Sequence, residues 1–404
     1  MFLVTASLPA TALDQTSSNR INLRLQAGDV RPWLAVEAAE TDVAIIEQTT
    51  DLRTWRELLR SHGAVTGVPD LSTPGVPHAF YRAVFRDKTE EDDWKNVLAA
   101  ADPFQSVEPP PDQRESRWVK FALLLEAPHR VVFQDSAKYA FHYDFATVRL
   151  PQFERFTRSQ FDAVTLRTNG QVAVLGAVLF PPATNFLEVG IQLAGLDPYP
   201  REVVARWFET AHAMLDFGPA TKVFYLPTYE QREVAVQNAS WFATRGIQVS
   251  SAARWVTSDE IYASGWALGR LVYATGNEIA AAYRDGRLRP DGILLTDAVP
   301  AEVPPLAGII SLSPATPNSH VALLAKSFGI PFVHVARPGF AELVMTWIGR
   351  EVILRAVDAY AEKDVMVAPL VRELPEPLRT EIRELKIPPR LNLPPKTPFG
   401  QISI

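Results

Sequence analysis

The chain has no cysteine among its 404 residues. Disulfides, thiolate metal sites and cysteine nucleophiles are thereby excluded together, and the redox compartment is left open. It also lacks any apolar run near the roughly 18–20 residues that a membrane-spanning helix needs. Neither sign of charge dominates. Lysine plus arginine number 40 against 46 acidic residues, a net charge of −6, with no basic block or stripe. Nucleic-acid binding is disfavoured on that ground. No segment repeats at a fixed period.

What remains is an ordinary globular composition, 47% hydrophobic and 21% charged, on a chain long enough for two or three cores. The start, "MFLVTASLPATALDQTSS", holds a short apolar run and a small-residue Ala-Thr-Ala, without the basic residues that precede the apolar part of a secretory signal. Export and a cytoplasmic location are both left open.

Two proline-rich stretches divide the chain. "DPFQSVEPPPDQRES" at 102–116 reads as an extended linker, and "IPPRLNLPPKTPFGQISI" at 387–404 has the same character. Residues 1–101 alternate in short apolar runs separated by Gly/Pro turns, the pattern of a small β-sandwich. Residues 117–255 mix strands ("WVKFALLLEA", "HRVVFQDS", "QVAVLGAVLF", "TKVFYLP") with two helices. In the first helix Val203, Val204, Trp207, Phe208, Ala211 and Leu215 recur at helical spacing. The second is "TYEQREVAVQNASWFATRGI", stopped by Gly246. Residues 256–365 return to short β-branched strands, "GRLVYAT", "DGILLTDA", "GIISLS", "IPFVHVA" and "REVILRA". The expected fold is therefore multidomain α+β: a β-sandwich-like module, a middle α+β domain and a C-terminal β/α domain. Residues 366–404 would be a second linker.

The chemistry centres on "SPATPNSHVALLAKSFGIPF", residues 313–332. Thr316 is a good N-cap and Pro317 suits the first helical position. Val321, Leu324, Ala325 and Phe328 fall on one face, Gly329 supplies a left-handed cap, and Pro331 blocks continuation. His320 then sits in the first turn, off the apolar face and near free backbone N–H groups that favour an anion. An imidazole there is a competent nucleophile toward phosphorus, with Asn318 and Ser319 as further donors. The local pattern equally accommodates three polar residues tolerated at a helix start.

The longer context resembles the swivelling phosphohistidine domain of phosphoenolpyruvate-utilising enzymes, the family of pyruvate, phosphate dikinase and pyruvate, water dikinase. The matching pieces stand in the family order: G-x-x-x-G-x-L at Gly265–Leu271, "DGILLT" at 291–296, the "GII" strand, then Ser319, His320, Ala322, Ala325, Lys326, Gly329, Ile330 and Pro331. The family's glycine-rich loop is replaced here by Ala315, Thr316, Pro317 and Asn318, and its usual arginine by Lys326. "AFHYDFATVRL", "YLPTYEQRE" and "DEIYASGWALGRL" are similar to segments of bacterial PEP/pyruvate-binding domain-containing proteins. "EQTTDLRTWREL" with "FYRAVF" resembles a β-sandwich module of bacterial surface proteins.

The resemblance implies that His320 becomes phosphorylated, with Thr316, Asn318, Ser319 and Lys326 supporting the phosphate loop. ATP and Mg²⁺ would be bound by an ATP-grasp partner domain, on this polypeptide beyond 366–404 or on another, and not by these residues. The acceptor would be a small molecule, pyruvate or another, and the need for ATP favours the cytoplasm. The competing reading is an exported, non-catalytic binding or assembly protein with a degenerate swivelling domain. Other polar residues have structural readings: His142 as a hydrogen-bonded histidine, His334 as a strand residue, His129 in a turn, Asp291 and Asp297 as strand-end turn residues. Arg270 is a weaker phosphate contact.

Overall fold

The computed structural model describes residues 19–24, 32–71, 79–99, 104, 117–126, 129–181, 188–255, 259–316, 319–337, 339–359, 362–372 and 374–386. Within these the fold is mixed α+β and richer in strand than in helix. The first two expected units are not independent. Two three-stranded antiparallel sheets, Arg20–Arg24/Trp33–Glu37/Val65–Pro69 and Arg56–His62/Asp42–Thr49/Phe80–Asp87, contribute Leu34, Val36, Ala44, Ile46, Leu59 and Val68 to a hydrophobic cluster. That cluster continues into the middle domain through Phe121, Leu123, Phe133 and Val178. The expected linker at 102–116 lies outside the described residues except for Phe104, which is buried in the same core.

A pair of adjacent carboxylates fixes this junction. Asp92, fully buried, accepts from Arg60 at 3.2 Å and Arg86 at 2.5 Å within the N-terminal module. Its neighbour Asp93 turns the other way and accepts from Lys138 at 2.6 Å, Tyr139 at 2.9 Å and Arg149 at 2.8 Å in the middle domain. The next two residues, Trp94–Lys95, pair with Arg130–Gln134 as the edge strand of the middle sheet. Burial alone would raise the Asp93 carboxyl, but the three donors outweigh it and hold its pKa below the ordinary value.

The middle sheet has seven strands, with Arg117–Leu124 and Ala173–Phe180 at its centre. Side chains alternate across it. Phe121 and Leu123 face the N-terminal module and the helix Arg201–His212. Ala122, with Val132, Ala173 and Leu175, packs against the helices His142–Arg149 and Arg158–Thr165. Helix Arg201–His212 buries Val204, Trp207, Phe208 and Ala211 as the spacing predicts, but ends before Leu215, which lies in a short strand. The expected second helix is two, Arg232–Gln237 and Ala239–Thr244, broken at Asn238.

The C-terminal unit is a separate seven-stranded sheet, in the order Glu260–Ala263, Phe332–His334, Gly308–Ser311, Ile293–Thr296, Gly265–Tyr273, Glu351–Ala359, Glu362–Pro369. The four strands from Phe332–His334 through Gly265–Tyr273 run parallel. The buried hydrophobic residues of this unit form two clusters of their own, one on each face. The sheet extends to Pro369, past the expected limit at 365, and helix Glu376–Glu384 occupies part of the expected linker. Residues 387–404 lie outside the described residues. No described helix is long and apolar enough to cross a membrane.

Removing one partner of a buried ion pair strands the others at a cost of about 3–5 kcal/mol. Lys138 and Arg149 are partly exposed and can rehydrate, so Asp93→Ala is expected to lose about 3 kcal/mol in urea denaturation. A loss under about 1 kcal/mol would show that the junction does not depend on this carboxylate.

Candidate functional site

Short polar residues at the carboxyl ends of the parallel strands shape the loops that carry the sequence motif. Thr296, Ser311 and His334 are aligned in register across neighbouring strands and all three are buried. Thr296 donates to the Ala298 carbonyl at 2.8 Å, Ser311 to that of Ser313, and His334 Nδ1 to that of Ser311 at 3.0 Å. His334 is thus a brace for the loop, and burial keeps its imidazole below the ordinary pKa. Carboxyl ends of parallel strands are where α/β sheets present ligand sites.

The helix leaving the 312–319 loop runs His320–Phe328, and its cap differs from the expected one. Ser319, not Thr316, is the N-cap: its hydroxyl accepts from the Ala322 N–H at 3.2 Å. His320 is therefore the first helical residue. Thr316 is buried and donates instead across the domain boundary to Gln192 Oε1 at 3.3 Å. Pro317 and Asn318 lie outside the described residues. The buried face is Val321, Ala322 and Ala325, whereas Phe328 is 71% exposed. Gly329 caps the helix with φ 63°, as expected. Lys326 is exposed in the last turn and does not line the cavity described below.

His320 faces a cavity of about 550 Å³ between the middle and C-terminal units. The C-terminal unit contributes residues 298–302, 313–316, 319, 320 and 323. The middle unit contributes the sheet face with Lys120, Leu175, Gln192, Ala194 and Leu226, and the helix starts with Phe141, His142 and Arg158. Phe141 is the hub of one end. Its ring centre lies 6.4 Å from that of His320, edge to face, 5.8 Å from Lys120 Nζ and 5.1 Å from the Arg158 guanidinium. Among the described residues nothing hydrogen-bonds the His320 imidazole. Burial lowers its pKa first, and Arg158 and Lys120 reinforce that against the weaker pull of Asp162 and Glu302. The ring is neutral near pH 7, the form in which a nitrogen lone pair is free.

Lys120 is the residue that the sequence reading passed over. It stands in the middle of the apolar strand "RWVKFALL", on the parity that faces the cavity. It is 3% exposed, donates to the Ala140 carbonyl, and has no carboxylate in ion-pair contact among the described residues. Burial, with Arg158 adding to it and Asp144 opposing, brings its pKa down to about 7. His142, beneath it, donates from Nε2 to the Gly176 carbonyl at 3.0 Å. Burial and then Lys120 push its pKa down to about 3. Gly176 is required there, because a Cβ would fall 2.3 Å from the Phe121 ring.

The remaining sequence candidates lie elsewhere. Arg270 is exposed and donates to the Gly349 carbonyl at 2.8 Å, Asp297 accepts from the Gly276 N–H at 2.9 Å, and Asp291 lies 3.8 Å from Arg289. His129 lines a different cleft, beside the N-terminal module. Among the described residues no group of three His, Asp or Glu side chains is placed to hold a metal ion.

Lys120 makes stability depend on pH in a definite direction. Below pH 7 the amine is charged in both folded and unfolded chains, and its burial costs the most. Between about pH 7 and its ordinary value of 10.5, the folded chain binds fewer protons, so stability rises with pH. Lys120→Met should therefore be the more stable protein at pH 6, by about 2–4 kcal/mol, with the gap closing towards pH 10. Urea midpoints across that range measure it, and a constant gap would contradict the buried, unpaired amine. Comparison with protein-family models, with curated proteins and with solved structures finds no match to this chain.

Proposed function

We propose that the C-terminal unit is a phosphoryl carrier and that His320 takes the phosphoryl group. The observation that carries this reading is the His320 imidazole itself: first residue of its helix, without a protein hydrogen bond among the described residues, and directed into a large cavity beside two cations. A neutral imidazole nitrogen attacks phosphorus, the bond to the donor's leaving group breaks, and the ring sheds its other N–H proton. Phosphoryl transfer depends mainly on positioning and charge stabilisation. The free N–H groups of the helix start and the nearby Lys120 and Arg158 supply both.

The donor in this reading is ATP, loaded with Mg²⁺ at an ATP-grasp partner domain, and the acceptor is pyruvate or another small molecule. The first unit then corresponds to the expected β-sandwich module and the last to the swivelling domain. Ser319 caps the phosphate-bearing turn and Thr316 secures the loop. Asn318 and Lys326 keep only the supporting roles that the resemblance gives them. A carrier must leave one station for another, and the contacts across the cavity are of a separable kind. Tyr229 donates to Asn277 at 2.7 Å, the Ala301 N–H to Glu230 at 2.8 Å, and Thr316 to Gln192. A neutral bond of this kind is worth about 1 kcal/mol net and one to a carboxylate about 1.5–3 kcal/mol, and among the described residues no hydrophobic cluster bridges the two units.

Phosphoramidate, a small donor that needs no partner protein, tests the reading directly. Incubation should give an acid-labile, alkali-stable phosphohistidine at His320 by ³¹P NMR and peptide mapping. His320→Ala should lose more than nine-tenths of the signal. Absent labelling, or labelling that survives the substitution, would remove His320 from the proposal.

A further inference from the structure

The cavity wall opposite His320 belongs entirely to the middle unit, whose role the carrier reading leaves unassigned. That wall has two chemically distinct parts. At the Phe141 end stand Lys120 and Arg158; Arg158 pairs with Asp162 at 3.6 Å, whereas Lys120 has no carboxylate within ion-pair distance among the described residues and feels Asp144 only at longer range. The rest of the wall presents Leu175 and Ala194 from the sheet and Leu226 just past strand Lys222–Tyr225, with Thr228 two residues further on. The buried Thr228 hydroxyl has no hydrogen-bond partner among the described residues. The volume suits a small organic molecule rather than a single ion.

We infer that the middle unit is the acceptor station: the cavity binds a small organic molecule with an anionic head on Lys120 and Arg158, an apolar body along Leu175, Ala194 and Leu226, and a hydroxyl directed at His320. An anion supplies the counter-charge that Lys120 lacks, which explains why an apolar strand retains a buried amine. Arg158 can hold two oxygens of a carboxylate or phosphate in its planar fork. The direction of transfer rests on the carrier reading. The acceptor oxygen attacks phosphorus, the P–N bond to His320 breaks with its electron pair returning to the ring, and the hydroxyl proton passes to the imidazole. The head group and the body are read from the wall alone and need no phosphate on His320.

Isothermal titration of the full chain with 3-phenyllactate and with phenyl phosphate tests the site. The two probes share an anionic head and an apolar ring and differ in whether the head is carboxylate or phosphate. At least one should bind with 1:1 stoichiometry, and Lys120→Met and Arg158→Gln should each weaken it at least fivefold. Arg158 is partly exposed, so its variant reports on binding even if the strand substitution perturbs folding. If neither probe binds, or if both variants stay within fivefold of the parent, the assignment is overturned. Binding without phosphoramidate labelling of His320 would sink the carrier and keep this site, and labelling without binding would do the reverse.

Discussion

A primary amine buried on an apolar strand, with no carboxylate in ion-pair contact among the described residues, is the constraint around which this cavity is organised. Lys120 reaches its position because side chains alternate along Arg117–Leu124, so the parity that turns Phe121 and Leu123 into the core turns Lys120 towards the cavity. Desolvating a charge is expensive enough that the group gives up its proton more readily instead. The charge it keeps acts on its neighbours. His142, held by Gly176, is kept neutral by burial and by this amine. His320, on the other unit, is kept neutral by burial, then by Arg158, with a smaller part from Lys120. A site of this kind holds neutral nitrogens and unused positive charge side by side, which suits an anion arriving with phosphorus to be attacked.

The two domain junctions differ in strength, and the difference fits their proposed roles. At the front, Asp92 and Asp93 grip cations on either side while Phe104 and the strand Trp94–Lys95 merge two units into one core. At the back, a few hydrogen bonds, one of them to the Glu230 carboxylate, and one edge-to-face ring contact hold the C-terminal unit against the middle one. Buried ion pairs cost several kcal/mol to break one-sidedly, whereas bonds of the second kind contribute about 1–3 kcal/mol each. The first two units are thus built as one platform, with the third docked on it.

Local signals in the sequence carried the local structure. The β-branched runs of the last unit became strands, Gly329 became a left-handed cap, and Val204, Trp207, Phe208 and Ala211 became one buried helix face. Failures came where distant residues decide. Thr316 has the chemistry of an N-cap, but Gln192, far away in sequence, offers its hydroxyl a partner, and Ser319 takes the cap. Phe328 continues the apolar spacing yet points outward, while Val321, Ala322 and Ala325 form the buried face. The middle unit's part in the site was not legible at all. Lys120 looks like a chance polar residue in a strand until the cavity beyond it is seen, and the N-terminal junction depends on cations at Arg60, Arg86 and Arg149 that no spacing rule connects to Asp92 and Asp93.

Because His320 faces Lys120 and Arg158 across the cavity, the protonation of its ring reports their juxtaposition. Protein labelled with ¹³C at histidine Cε1 gives seven resonances, and the one lost in His320→Gln identifies the ring. That ring should titrate below the ordinary histidine value, and Arg158→Gln should raise its pKa by removing a nearby positive charge. An ordinary pKa that does not respond to Arg158 would place His320 in open solvent and contradict the shared site.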